Sequence, residues 1–259
     1  MRALYFFPLL LLPAWGADLK DPSEAEVKEI IAKFANKESE FAKARERYTY
    51  RQSLKMHELD DRGNVTGKWE VVADVLFSAN GKRTERVVRA PVPTLKGLII
   101  TPEDEADLRN VQPFVLTTKD IDKYDVRYIG REKLDEISCY TFSVKPKKLE
   151  HGMRFFQGQV WVDDKDLQIV KSYGRGVGQQ KKGSDQQFPK FETYREQIDG
   201  KYWFPTYTIA NDTLVFKDSS VRIRMSVKYE DYKYFGSDVK VTFGETLDPA
   251  KPATPPKKP

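Results

Sequence analysis

A single cysteine, Cys139, and two histidines, His57 and His151, are all that this 259-residue chain holds of those types. One cysteine excludes an intramolecular disulfide. Three such residues scattered along the chain cannot form a His/Cys metal cluster, so no metal and no cofactor is expected. Long apolar runs are equally scarce. The one that exists, Ala3 to Pro13, is shorter than the ~20 residues that a membrane-spanning helix needs. Charge of one sign is also missing: the net charge is +5, with 32% charged residues of both signs mixed. That mild, dispersed basic bias lacks the clustered Lys/Arg of a nucleic-acid footprint. G-x-S-x-G, Walker A and H-E-x-x-H motifs are absent as well.

The apolar run follows a basic start, Met1-Arg2, and ends at Ala14-Trp15-Gly16, small residues at the −3 and −1 positions of a signal-peptidase site. Residues 1–16 are therefore expected to be a signal peptide, with the mature chain starting at Ala17 and soluble after cleavage; an uncleaved anchor is the alternative. No cysteine follows the run closely, which rules out acylation at the cleavage site. The remainder has 39% hydrophobic residues, with 13 Tyr and 15 Phe, enough for one sizeable β-rich core.

One long helix is expected. Ser23 is its N-cap and Glu26 completes a capping box. Val27, Ile30, Ile31, Phe34 and Phe41 form one apolar stripe, and Glu24, Glu26, Glu29, Glu38 and Glu40 are assigned to the polar face. The helix should run to about Arg45 and pack on a sheet. From Tyr48 the hydrophobic period becomes two. Strands are expected from Tyr48 to Met56, Val65 to Phe77 and Arg83 to Arg89, with Asn80-Gly81 as a hairpin turn. Seven more follow between Tyr124 and Tyr232, joined by short polar turns such as Asp163-Asp164-Lys165-Asp166 and Asp199-Gly200-Lys201. Such connections build an antiparallel meander of about ten strands, a size at which sheets curl.

Pro91 to Lys123 interrupts that rhythm, with short helices expected at Glu103–Arg109 and Thr118–Lys123. This insertion should lie over the sheet, burying Leu95, Leu98, Ile99 and Ile100, as a fixed plug or as a movable lid. Gly174 to Pro189 is glycine-rich and expected to be a surface loop, not a phosphate site, because no helix pattern follows it. Residues 248–259 are a Pro/Lys-rich tail with nothing to bury, expected to be disordered. That leaves 17–247 as a single domain.

Catalytic signals are weak. His151 stands alone in a turn, and Cys139 sits on an apolar strand as a small hydrophobe. Acid pairs such as Asp163/Asp164 and Glu103/Asp104 occupy turn and helix-start positions, where local hydrogen bonding explains them. Apolar residues, by contrast, are organised. Tyr140, Phe142 and Val144 share a strand face, as do Phe156, Val160 and Val162, and as do Val221, Ile223, Met225, Val227 and Tyr229. A wide sheet with such a face either fills itself or leaves an apolar groove for a ligand.

Three stretches resemble one family. Gly130-Arg131-Glu132-Lys133-Leu134-Asp135 with Cys139-Tyr140-Thr141-Phe142-Ser143-Val144-Lys145-Pro146 is similar to the central hairpin of LolA-like proteins, the periplasmic lipoprotein-sorting carriers and their RseB-type relatives. Phe156 to Asp163 with Leu167 to Lys171 resembles the next hairpin, and Asp199-Gly200-Lys201-Tyr202-Trp203-Phe204-Pro205 a later turn and strand. Glu136 stands where the family pattern has glycine, and the tail is unfamiliar. The resemblance implies a mainly β (α+β) curved antiparallel half-barrel with an N-terminal amphipathic helix and a short helical lid, binding acyl chains in a concave groove in the periplasm. Strand alternation then nominates Ile30, Phe34, Leu98, Ile99, Ile100, Tyr140, Phe142, Val144, Phe156, Val160, Val162, Ile223 and Met225 as the groove and its lid. The leading expectation is a non-catalytic, monomeric carrier or chaperone for lipoprotein acyl chains or lipid, working with an inner- or outer-membrane protein partner. An RseB-like envelope-stress sensor or assembly protein is the alternative, weakened because little chain remains after Thr208 for a second domain. A secreted hydrolase acting on envelope polymers is the third.

Overall fold

The computed structural model describes residues 21–78, 81–179 and 187–235. Residues 1–20, with the expected signal peptide, Ala79 and Asn80 of the expected hairpin turn, residues 180–186, and residues 236–259, with the expected tail, lie outside them.

Helix α1, Glu24–Arg45, starts with the expected capping box: the Ser23 N–H donates to Glu26 Oε2 at 2.7 Å, and the Ser23 hydroxyl accepts from Glu26 N. Ten strands follow: β1 Tyr48–Leu59, β2 Val65–Phe77, β3 Arg83–Arg89, β4 Tyr124–Leu134, β5 Ile137–Pro146, β6 Arg154–Asp163, β7 Ile169–Gly178, β8 Phe191–Ile198, β9 Tyr202–Val215 and β10 Ser220–Tyr234. They form one antiparallel sheet in the order β3-β2-β1-β10-β9-β8-β7-β6-β5-β4, not closed into a barrel. The seam is β1 against β10, with Leu54 opposite Val227 and Met56 opposite Met225.

This order places β3 and β4, neighbours in sequence, at opposite edges of the sheet. The connection between them has to cross the sheet, which accounts for the length of the insertion. It contains helix α2, Pro102–Ala106, a π-helical turn at Asp107–Val111 and a 3-10 turn at Ile121–Lys123.

One face of the sheet wraps the main core, to which β1, β2, β4 to β10, the insertion and α1 all contribute, and Phe41, Tyr48 and Phe204 form a smaller separate cluster. Phe34 packs on Phe142 with ring centroids 5.3 Å apart, and Phe41 meets Phe204 edge-on at 5.1 Å. The opposite face carries a smaller cluster of Cys139, Trp161 and Val170.

Three expectations change. Glu38, assigned to the polar face of α1, is fully buried; it lies four residues after Phe34 and three before Phe41, hence on the packed stripe, where Arg195 answers its charge. The glycine-rich stretch is no loop up to Gly178, since it forms β7. Its glycines serve close approach: a Cβ on Gly174 would come within 2.7 Å of the Phe156 ring, and one on Gly176 within 2.2 Å of Asp107 Oδ2. Ile99, expected to be buried, is 88% exposed. Its neighbours Leu98 and Ile100 pack against the core, while Ile99 faces outward.

Candidate functional site: a cavity beneath the insertion

The insertion is pinned along its length. At its start the buried Glu58 of β1 accepts the backbone N–H of Lys96 at 2.8 Å and of Gly97 at 2.9 Å. Thr94 also exchanges hydrogen bonds with Lys68 of β2, at 2.8 and 3.0 Å. Midway, Arg154 of β6 grips Asp107 with two parallel bonds, Nε to Oδ1 at 2.9 Å and Nη2 to Oδ2 at 2.6 Å. Further on, the Thr193 hydroxyl donates to the Gln112 carbonyl at 2.8 Å, and Arg195 donates to the Phe114 carbonyl. Thr118 N donates to Ser39 Oγ of α1 at 2.9 Å.

Between the first two pins the insertion stands off the sheet over a cavity of about 660 Å³. Its floor is Met56, Trp69, Ile223 and Met225 from β1, β2 and β10, with Phe191 and Leu214 beside them. Leu98, Ile100 and Leu108 cover it. The rest of the lining is mixed: Ile99, Met153 and Phe188 stand with Asp104, His151 and Gln179, and the buried Gln112 contributes a polar side chain inside. Arg154 lies 3.6 Å over the Phe188 ring while holding Asp107, so the wall there is electrically paired. Burial raises the pKa of Asp107 above the ordinary carboxylate value, with Arg154 opposing the shift. Asp104 accepts both the N–H and the hydroxyl of Thr101 at 2.8 Å, so it too is engaged in holding the backbone.

Five of the thirteen nominated residues, Leu98, Ile99, Ile100, Ile223 and Met225, line this cavity. The structure places the other eight elsewhere. Phe34, Phe142, Val144, Phe156, Val160 and Val162 are fully enclosed in the core, and Ile30 and Tyr140 pack against it. Sequence reasoning missed Met56, Trp69, Leu108, Phe191 and Leu214. Met56 and Trp69 are cross-strand partners, and Met56 also faces Met225. The period-2 pattern marked these faces, but only the β1–β10 pairing shows that they share one floor.

Other reactive candidates are occupied structurally. Cys139 is buried, and burial first, then the carboxylates of Asp163, Asp164 and Glu132, push its thiol up to about 12. Among the described residues no group of three His, Cys, Asp or Glu side chains could hold a metal, and no helix is long and apolar enough to cross a membrane.

No family model matches the sequence, and no curated protein matches it. Solved structures do resemble the fold. A DUF1329 family protein from Desulfovibrio piger is 16% identical, over 86% of this chain and 96% of its own, with a TM-score of 0.46. A LolA superfamily protein from Nitrosomonas europaea is 12% identical over 81% of this chain and 93% of its own, with a TM-score of 0.35. A domain described as outer membrane lipoprotein-sorting, from Vibrio parahaemolyticus, is 12% identical over 81% and 95% respectively, TM-score 0.37. With these TM-scores all below 0.5, function has to be read from the chain's own cavity.

Proposed function

We propose that this protein is a non-catalytic carrier or chaperone that holds an acyl chain, of a lipid or of a lipidated protein, in the cavity beneath the insertion. The observation that carries the reading is the cavity itself: about 660 Å³, with an apolar floor and cover, the buried polar groups in its wall being Gln112 and the Asp107–Arg154 pair. That volume falls inside the roughly 300–1,000 Å³ of ordinary small-molecule sites. Each methylene buried contributes ~0.8 kcal/mol, so a chain half enclosed here binds firmly yet can leave. A head group would stay at the rim, beside Asp104, His151 and Gln179. The non-catalytic reading rests on the two cavity carboxylates, Asp104 and Asp107, which both serve to hold the insertion rather than standing free as an acid and a base. An exported, signal-cleaved form with a membrane protein as delivery partner belongs to the same reading.

The test is native mass spectrometry of gently purified full-length protein, with extraction of bound material. Acyl ligands are expected on the wild type and on Phe142→Leu, which alters the filled core, but not on Leu98→Trp, which fills the cavity. Ligand-free protein that also refuses added palmitate and palmitoylated peptide would overturn the reading.

A further inference from the structure

A second, smaller pocket of about 180 Å³ lies at the C-terminal end of α1, where Arg45, Arg83, Arg109 and Asn110 meet the aromatic walls Phe41, Phe204 and Tyr232. It shares no lining residue with the large cavity. Two of its arginines are largely spoken for. Arg83 donates to Gln52 Oε1 at 3.0 Å and pairs with Glu85. Arg109 pairs with Glu85 at 3.0 Å and with Glu105 at 2.8 Å. Arg45 differs from both: it makes no direct hydrogen bond or close ion pair among the described residues, and the carboxylates of Glu38 and Glu46 act on it only through space. The Nε of Arg83 is also buried without a partner among them. Glu46 lines the same pocket but is exposed at its edge.

We propose that this pocket binds a phosphate or phosphoryl group, with Arg45 as its principal ligand. A guanidinium partly withdrawn from water with no direct hydrogen-bond partner is unfavourable, and an anion bound to it offsets that cost. Its desolvation is the largest influence on Arg45, pulling its pKa below the ordinary arginine value. The Arg45 guanidinium and the unpartnered Nε–H of Arg83, coming from a helix and a strand to one small space, suit an oxyanion with several acceptor oxygens, whereas a carboxylate is satisfied by one planar fork. The aromatic walls lower the local dielectric and strengthen the attraction. The inference is independent of what the large cavity holds.

The experiment is a ³¹P NMR titration of inorganic phosphate into the full chain, with flotation on phosphatidylcholine vesicles with and without phosphatidic acid as a second arm. Saturable binding of inorganic phosphate that Arg45→Gln weakens at least tenfold, and Arg45→Lys less, supports the site with free phosphate as ligand. Binding confined to phosphatidic acid vesicles and lost in Arg45→Gln supports it with a lipid headgroup as the source. No saturable binding in either arm, binding unchanged in Arg45→Gln, or displacement by equal acetate overturns it. Unfolding in phosphate-free buffer separates a structural role. An unliganded cation predicts an Arg45→Gln melting temperature equal to or above the wild type, and a marked drop would mean that Arg45 serves the helix end instead.

Discussion

Glu38 and Arg195 form a closed ion pair at the point where helix, insertion and sheet converge. Arg195 Nη1 lies 3.0 and 3.2 Å from the two Glu38 oxygens, and Nη2 lies 3.2 Å from the second. Glu38 Oε1 also accepts the Ile169 N–H of β7 at 3.0 Å, while Arg195 reaches the Phe114 carbonyl and lies 5.0 Å over the Phe41 ring. Four segments thus depend on one pair of charges.

Breaking a buried pair from one side costs about 3–5 kcal/mol because the other charge is stranded. Glu38→Ala is therefore expected to lower stability by about that amount in urea unfolding. Glu38→Leu combined with Arg195→Met should recover much of the loss. A double variant as unstable as the sum of the singles would contradict this account.

Glu58 anchors the first turn of the insertion through two charge-assisted bonds to Lys96 N and Gly97 N. Glu58→Ala removes both acceptors, at about 2 kcal/mol on the scale of hydrogen bonds to charged groups. Hydrogen exchange should show the amides of residues 94–101 opening faster, with α1 unchanged. Uniform acceleration across the chain would mean that Glu58 supports the global fold and not this turn.

Asp107 supplies a pH dependence with a definite sign. Its pKa is raised by burial, so the native state takes up this proton at a higher pH than the unfolded chain does. Its contribution to stability is then greatest in acid and shrinks as pH rises from about 4, the ordinary Asp value, through the raised native value. Measured as melting temperature against pH, the wild type should lose ground to Asp107→Asn over that window. A difference profile that is flat or slopes the other way would contradict the assignment.

Local rules carried the secondary structure. The Ser23/Glu26 box marked the start of α1, and strict alternation from Val221 to Tyr229 marked β10. What local rules could not carry was the consequence of strand order. Trp69 reads as one residue of an alternating strand until β10 is known to pair with β1, and then it becomes cavity floor. Glu38 misled because a glutamate among glutamates looks solvated; its partner is 157 residues away. The glycines of β7 misled for the same reason, since the groups that require them, Phe156 and Asp107, come from other segments. Phe142 and Phe156 were correctly inward-facing, yet whether an inward face is filled or hollow depends on what covers it, and α1 and Phe114 cover theirs.

The central claim is that an acyl chain lies against Trp69. Trp69 lines the cavity, whereas Trp161 and Trp203 belong to the cluster on the opposite face. In a Trp15→Phe background, titrating the full-length protein with palmitate carrying bromine on its chain should quench tryptophan fluorescence saturably, and adding Trp69→Phe should abolish the quenching while unlabelled palmitate still binds. No quenching, or quenching that survives in Trp69→Phe, would place the chain elsewhere and contradict the account.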